Sequence, residues 1–234
     1  MVNMIGYREV TPPPGAGLAC VWTSDLPADA EPSVQRVVPD GCVDLIWWGR
    51  DARIQVAGPD TGPVPARLDP GDFLIGVRFR PGTAPPALGV PADAVRNARV
   101  PLSELWGPEA DRLGDRVAAA PDPRAALVAA ITERARAAGP PDPLVPALVN
   151  VRGPLGDVAR QLGLGERQLR RRALAAFGYG PKTLQRVLRF QRALRMARTG
   201  TPLADVAYAT GYSDQSHLAH DVRDLAGEPL TALL

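Results

Sequence analysis

Pro202-Leu-Ala-Asp-Val-Ala-Tyr-Ala-Thr-Gly-Tyr-Ser-Asp-Gln-Ser-His-Leu-Ala-His220 decides the fold, because the chain has already written half of it once. Pro154-Leu-Gly-Asp-Val-Ala-Arg-Gln-Leu-Gly163 matches Pro202–Gly211 at an offset of 48 residues. In each copy Leu, Val and Ala fall at i, i+3 and i+4, as Leu155, Val158, Ala159 and as Leu203, Val206, Ala207. That spacing gives a helix one buried face. Each run stops at a glycine, Gly163 or Gly211, the residue that a left-handed helix end favours. A second helix then starts at once, over Glu166–Arg172 in the first copy and Asp214–His220 in the second. Helix, glycine turn and helix make a helix-turn-helix unit, whose second helix enters the DNA major groove.

The match runs on. Leu169 precedes Gly178 by nine residues and Leu218 precedes Gly227 by nine, with Pro181 and Pro229 following. Between the copies, Pro181–Ala197 has the pattern of one uninterrupted helix. Leu184, Val187, Leu188, Gln191 and Leu194 form its inner side, and Arg186, Arg189, Arg192, Arg195 and Arg198 stripe around it. One helix joining two such units would let one chain address two successive major-groove faces, ~34 Å apart.

Outward from this repeat, proline and charge divide the 234 residues. Of 26 prolines, 22 lie at or before Pro146, and Pro154, Pro181, Pro202 and Pro229 each stand where a helix would begin. Residues 1–140 carry 14 Arg against 17 acids, whereas 141–234 carry 13 Lys and Arg against 8 acids. Glu166 to Arg198 holds ten basic residues and one acid, the electrostatic footprint of a phosphate-backbone binder. With 26 Arg and a single Lys in the chain, the choice of Arg says little, but the clustering does.

The first half alternates short β-prone runs with turn clusters. The runs are Leu18–Trp22, Gln35–Val38, Cys42–Trp48, Arg53–Val56 and Phe73–Phe79, which predicts an antiparallel barrel or sandwich. From Leu102 to Ala138 the pattern turns helical, with a break at Pro121-Asp-Pro123 predicting two helices. The expected fold is α+β: a β-rich domain over 1–138 with helices at about 102–138, a linker over 139–143, and an all-α domain over 144–234.

Several function classes drop out. No run approaches the ~18 apolar residues of a membrane span. Met1–Val10 lacks a basic stretch leading into an apolar one, so no signal peptide is expected and the chain reads as cytoplasmic. Histidine is absent before His217, which leaves the first half without imidazoles for a metal site or a Ser-His or Cys-His nucleophile. His217 and His220, the chain's two histidines, have no third ligand nearby, so no metal and no cofactor is expected. Cys20 and Cys42 are too few for a disulfide framework. A redox switch between them would need a basic neighbour to make a reactive thiolate, and the sequence supplies none.

On these motifs, Gly153–Leu234 resembles the DNA-binding domain of AraC/XylS-type transcriptional regulators, with two helix-turn-helix units and a linking helix. The second unit, Asp205–Leu218 followed by Gly227 and Thr231, is close to the family signature. The first is looser: Gly165 replaces the usual Ser N-cap, and Ala173 sits where a large aromatic is normal, with Phe177 one turn on to fill the space. More weakly, Val38–Ile46 and Gly76–Gly82 resemble the cupin-like sensor domains of some such regulators. The resemblance implies a bacterial regulator that binds double-stranded promoter DNA, forms a homodimer, and works with RNA polymerase and a small-molecule effector.

Arg167, Arg170 and Arg171 are the candidate DNA contacts of the first unit, since a guanidinium matches guanine O6/N7. Arg172 is expected to lean toward the linking helix or a phosphate. In the second unit Gln215, Ser216 and His220 take the positions that face the groove in similar proteins, and Gln reads adenine. Ser213 and Thr201 are expected as N-caps, His217 as a surface or packing residue, and Tyr208 and Tyr212 as core. In the first half Trp22, Trp47, Trp48 and Phe79 could line a pocket for an apolar or aromatic effector anchored by Asp44 or Arg78. Alternation puts Trp47 and Trp48 on opposite faces. Two rival functions remain at this point: a ligand-independent dimeric regulator, and an enzyme or DNA-repair protein carrying an AraC-like module.

Overall fold

A computed structural model describes residues 6–151 and 153–234. Part of the opening stretch used for the signal-peptide expectation, residues 1–5, lies outside them. The strands are β1 (Arg8–Val10), β2 (Leu18–Asp25), β3 (Ser33–Val37), β4 (Val43–Trp48), β5 (Ile54–Ala57), β6 (Val64–Leu68), β7 (Phe73–Phe79) and β8 (Arg99–Pro101). Six of them make an antiparallel sheet in the order β1-β2-β7-β4-β5-β8, and β3 pairs with β6 in a separate two-stranded sheet.

Side-chain alternation gives the large sheet two different faces. Val21, Leu45, Trp47, Val56, Ile75, Val77 and Phe79 point one way, into a core closed by helices. Those helices are α3 (Pro108–Ala119) and α4 (Pro123–Ala137), which follow the short α1 (Pro85–Leu88) and α2 (Ser103–Trp106). Leu113, Val117, Leu127 and Ile131 cover the sheet, each buried side chain contributing about 1.5–3 kcal/mol. The other face carries Trp22, Ser24, Asp44, Ile46, Trp48, Leu74 and Arg78, and looks toward β3 and β6 across a cavity. On that face Gly76 sits opposite Trp22 on one side and Ile46 on the other. A Cβ at position 76 would stand 1.9 Å from the Trp22 ring, so the indole lies flat because residue 76 is glycine.

Helix follows helix after Pro143: α5 (Leu144–Val149), α6 (Leu155–Gln161), α7 (Glu166–Phe177), α8 (Pro181–Arg198), α9 (Leu203–Thr210) and α10 (Gln215–Ala226), ending in a 3₁₀ turn at Leu230–Leu233. Their apolar faces form one cluster in which Leu169, Ala173, Phe177, Leu184, Val187, Phe190, Val206, Leu218 and Val222 are buried.

The α+β architecture, the two helices either side of Pro121-Asp-Pro123 and the paired helix-turn-helix units are as the sequence predicts. Strands β1, β6 and β8 were not foreseen. β6 hides because Pro65 sits inside it, tolerable in a strand whose only partner among the described residues is β3. The N-caps also differ. Asp214 rather than Ser213 caps α10, its carboxylate accepting the His217 amide at 2.8 Å. Pro202 rather than Thr201 occupies the cap of α9, and the Thr201 hydroxyl faces that of Thr199 at 3.4 Å.

Candidate functional site

Both second helices of the repeat, α7 and α10, present their N-terminal turns to solvent. Arg167, Arg170 and Arg171 on α7 are exposed, as are Gln215, Ser216 and His220 on α10. The turn into α7 is held by Gln168, whose side-chain oxygen accepts the Gly165 amide at 3.1 Å, the half of a capping box that does not need a serine. The turn into α10 is held by Asp214, and these amide hydrogen bonds, chiefly from His217, keep its carboxyl below the usual range. His217 packs edge-on to the Tyr212 ring at 5.1 Å, in line with a packing role. Tyr212 is buried as expected, but Tyr208 is 89% exposed and is corrected from core to surface. Nothing on α9 covers it: the helix buries Val206, Ala207 and Thr210, and position 208 falls on the opposite side.

The cavity between the two sheets has a volume of about 430 Å³. That lies within the ~300–1,000 Å³ of small-molecule sites. Trp22, Trp48, Ile46, Leu68 and Leu74 make its apolar end. Of the six residues proposed from sequence, Trp22, Trp48, Asp44 and Arg78 line it together. Trp47 and Phe79 do not, and are withdrawn from the site. They point through to the helix side, where Trp47 donates its indole N–H to the Gly114 carbonyl at 3.3 Å.

A charged cluster sits on the cavity floor. Arg78 is clamped by Asp44 through Nε at 3.0 Å and Nη2 at 3.1 Å, Asp40 stands 3.5 Å away, and Trp22 Nε1 donates to Asp44 at 2.9 Å. Burial, and then the charge of Asp44, hold the Asp40 carboxyl above its usual range in spite of Arg78. Burial pushes the Cys20 thiol up to about 12 and raises Cys42 well above normal, so both are uncharged thiols at neutral pH. Sequence reasoning missed Ser24. It is fully buried on the cavity face, and its hydroxyl has no hydrogen-bond partner among the described residues. Buried hydroxyls are rarely left so.

Residues 158–234 match the family model described as a helix-turn-helix domain, and residues 13–101 match a domain of unknown function (DUF6597). The last third of this chain is a DNA-binding domain of the AraC type. Among curated proteins none matches the chain. Three similar solved structures are of ToxT. The first, from Vibrio cholerae O395, is 10% identical over 87% of this chain and 96% of that one, with a TM-score of 0.43. The second is the same protein bound to (E)-4-(8-methylnaphthalen-1-yl)but-3-enoic acid, at 11% identity, 87% and 99% coverage and TM-score 0.44. The third is unsaturated-fatty-acid-bound wild-type ToxT from Vibrio cholerae strain SCE256, at 10%, 86%, 94% and 0.41.

Within the AraC-type domain the arginine stripe of α8 is not one surface. Arg186 hydrogen-bonds Asp221 and pairs with Asp224 at 2.8 Å, while Arg189 reaches Asp221 at 3.2 Å and lies 4.3 Å over the Tyr212 ring. Arg198 donates to the Leu233 carbonyl at 3.1 Å and lines the cavity. Arg172 turns to Asp142, with Nε 2.9 Å from Oδ2, and not to the linking helix or outward to a phosphate. Gln191, assigned from sequence to the inner side of α8, instead donates to the Pro39 carbonyl of the β-rich half at 2.7 Å. Within residues 158–234, the exposed cations with no acid partner among the described residues are Arg167, Arg170, Arg171, Lys182, Arg195 and Arg223.

Proposed function

We propose that this protein is a sequence-specific, DNA-binding transcriptional regulator. Residues 144–234 read DNA, 139–143 link, and 1–138 sense a small apolar or aromatic effector. The observation that carries the first part is the repeated pair of helix-turn-helix units, each offering an exposed N-terminal turn of its second helix. The first unit would read guanines through Arg167, Arg170 or Arg171, and the second adenine-containing steps through Gln215 and Ser216, with His220 on a phosphate or base. Promoter DNA, a second copy of the chain and RNA polymerase are the partners this implies. The test is footprinting on a DNA fragment selected by the wild type from a random pool. Arg170→Ala is expected to weaken binding by ~1–3 kcal/mol and to open one half of the protected region, and Gln215→Ala to open the other. Loss of protection over the same base pairs in both variants would sink the two-unit assignment.

The cavity supports sensing over a front half that only dimerises. Its aromatic and aliphatic end would take the body of the effector, and Ser24, Asp44 and Arg78 its polar groups. No residue of the site suggests catalysis, and among the described residues no helix is long and apolar enough to cross a membrane. In a screen of aromatic and hydrophobic metabolites against the full chain, a true effector changes tryptophan fluorescence and raises the melting temperature, by ~2.7 kcal/mol of stabilisation at a hundredfold excess over Kd. Trp22→Phe and Trp48→Phe should each diminish the fluorescence response and Trp47→Phe should leave it. A response that survives loss of both Trp22 and Trp48 places the ligand elsewhere.

A further inference from the structure

The β-rich half touches the AraC-type domain at the same position in each repeat. Gly178 and Gly227 are repeat-matched, and each is the left-handed residue that ends a recognition helix, with φ of 74° and 72°. At the first, Pro59 lies so close that a Cβ on residue 178 would stand 2.6 Å from its Cγ. Arg96 donates to the Gly178 carbonyl at 3.1 Å, and the buried Tyr179 donates its hydroxyl to the Asp60 carbonyl at 2.6 Å. At the second, a Cβ on residue 227 would meet Pro63 and Arg36 at 3.3 Å. Arg36 also donates to the Ala226 carbonyl at 3.4 Å and pairs with Glu228 at 3.5 Å.

One loop, Gly58–Pro63 between β5 and β6, supplies contacts at both caps. The same loop belongs to the cavity. Asp60 lines it, bound bidentately by Arg99 at 3.0 and 2.7 Å, and Gly58 and Arg36 line it as well. The geometry therefore connects the inside of the sensor to the rear end of both recognition helices.

We propose that the Gly58–Pro63 loop, together with Arg36, is a brace that sets the distance and tilt between the two recognition helices. Its residues are positioning residues for DNA reading, and cavity occupancy acts on DNA through them. This rests on the DNA-binding reading above. Recognition helices contact bases through their N-terminal residues, so a grip at the C-terminal cap leaves the reading end free. It also works as a lever. The 12 residues of α7 or α10 span ~18 Å, and a tilt of about ten degrees at the cap moves the far end by about 3 Å. Successive bases of a strand are only ~3.4 Å apart. A brace of this kind makes binding depend on the spacing between half-sites, which a merely stabilising contact does not.

The experiment uses the full chain and the DNA fragment that the wild type selects from a random pool. Binding is compared with a version carrying one base pair inserted between the half-sites and with a single half-site. For the double variant Arg36→Ala/Tyr179→Phe, affinity for the selected fragment is expected to fall about tenfold. Its discrimination against the insertion should largely vanish, with single half-site binding unchanged. Arg36→Ala alone, at a side chain 46% exposed, should move discrimination in the same direction and serves if the double variant does not fold. Discrimination equal to wild type overturns the brace. So does equal loss on the single half-site, since the damage then lies inside one unit. If the wild type selects no sequence at all, the DNA-binding reading itself has failed, a different result from either of these.

Discussion

Raising the salt from about 50 to about 200 mM should weaken DNA binding on the order of a thousandfold, because each neutralised phosphate contributes ~0.9 to the log–log slope. Six contacts give a drop of that size, and six is the number of exposed, acid-free cations named above: Arg167, Arg170, Arg171, Lys182, Arg195 and Arg223. Three of these belong to α7, Lys182 and Arg195 to α8 and only Arg223 to α10, so about half of the slope should come from α7. Replacing Arg167, Arg170 and Arg171 together by Ala is expected to lower the slope by nearly three. Gln215→Ala should reduce affinity and leave the slope alone. Fluorescence anisotropy across a salt series measures both. A flat titration for the wild type is incompatible with phosphate-driven binding, and an unchanged slope in the triple variant would move the contact surface off α7.

The helical half was legible because its signals are local. Glycine ends, proline starts and the Leu-Val-Ala spacing all lie within one helix-turn-helix, and the repeat states them twice. The ionic wiring was not legible, because its partners are remote in sequence. A stripe of arginines every three residues looks the same whether it faces phosphate or protein, and Asp221, which lies 35 residues from Arg186 and 32 from Arg189, decides the matter for both. Ten basic residues between Glu166 and Arg198 thus overstated the DNA-facing charge, since at least Arg172, Arg186, Arg189 and Arg198 are spent on the protein itself.

In the β-rich half, alternation separated Trp47 from Trp48 but could not say which face held the cavity. That depended on where α3 and α4 would pack, and the alternating strand pattern carries no trace of it. The brace loop was visible only as a turn cluster, Gly58-Pro-Asp-Thr-Gly-Pro63. Tyr179, fully buried between Gly178 and Gly180, was the overlooked signal: an aromatic residue placed between two glycines at a helix junction has to pack on something outside its own helix.

Asp221→Ala should destabilise the AraC-type domain by about 3 kcal/mol, the low end of what removing one partner of a buried ion pair costs. The Asp221 side chain is only 7% exposed and holds Arg186, Arg189 and the Tyr212 hydroxyl, at 2.9 Å for the last, tying α10 to α8 and to the turn after α9. The low end applies because the two arginine side chains are 36% and 27% exposed, so water takes over part of their solvation. Asp224→Ala is the control: a half-exposed partner of the same Arg186, expected to cost under ~1 kcal/mol. The pH dependence has a definite sign. Burial alone would raise Asp221, but the hydrogen bonds from Arg186 and Tyr212 outweigh it and leave the carboxyl below its usual value. Asp142 is lowered likewise, by the hydrogen bond from Arg172. A depressed carboxyl stabilises fully above the unfolded pKa of ~3.9, and that stabilisation is lost as the pH falls through the folded value. Asp40 in the β-rich half is raised, so its contribution runs the other way and is lost as the pH rises through its folded value. On acidification below about pH 4 the helical half should therefore loosen first, followed by hydrogen exchange along α10. In Asp221→Ala that acid-dependent part should shrink. If Asp221→Ala costs no more than Asp224→Ala in urea unfolding, or if its stability falls with acid as steeply as the wild type's, the α8–α10 pairing is not what holds the second unit in place.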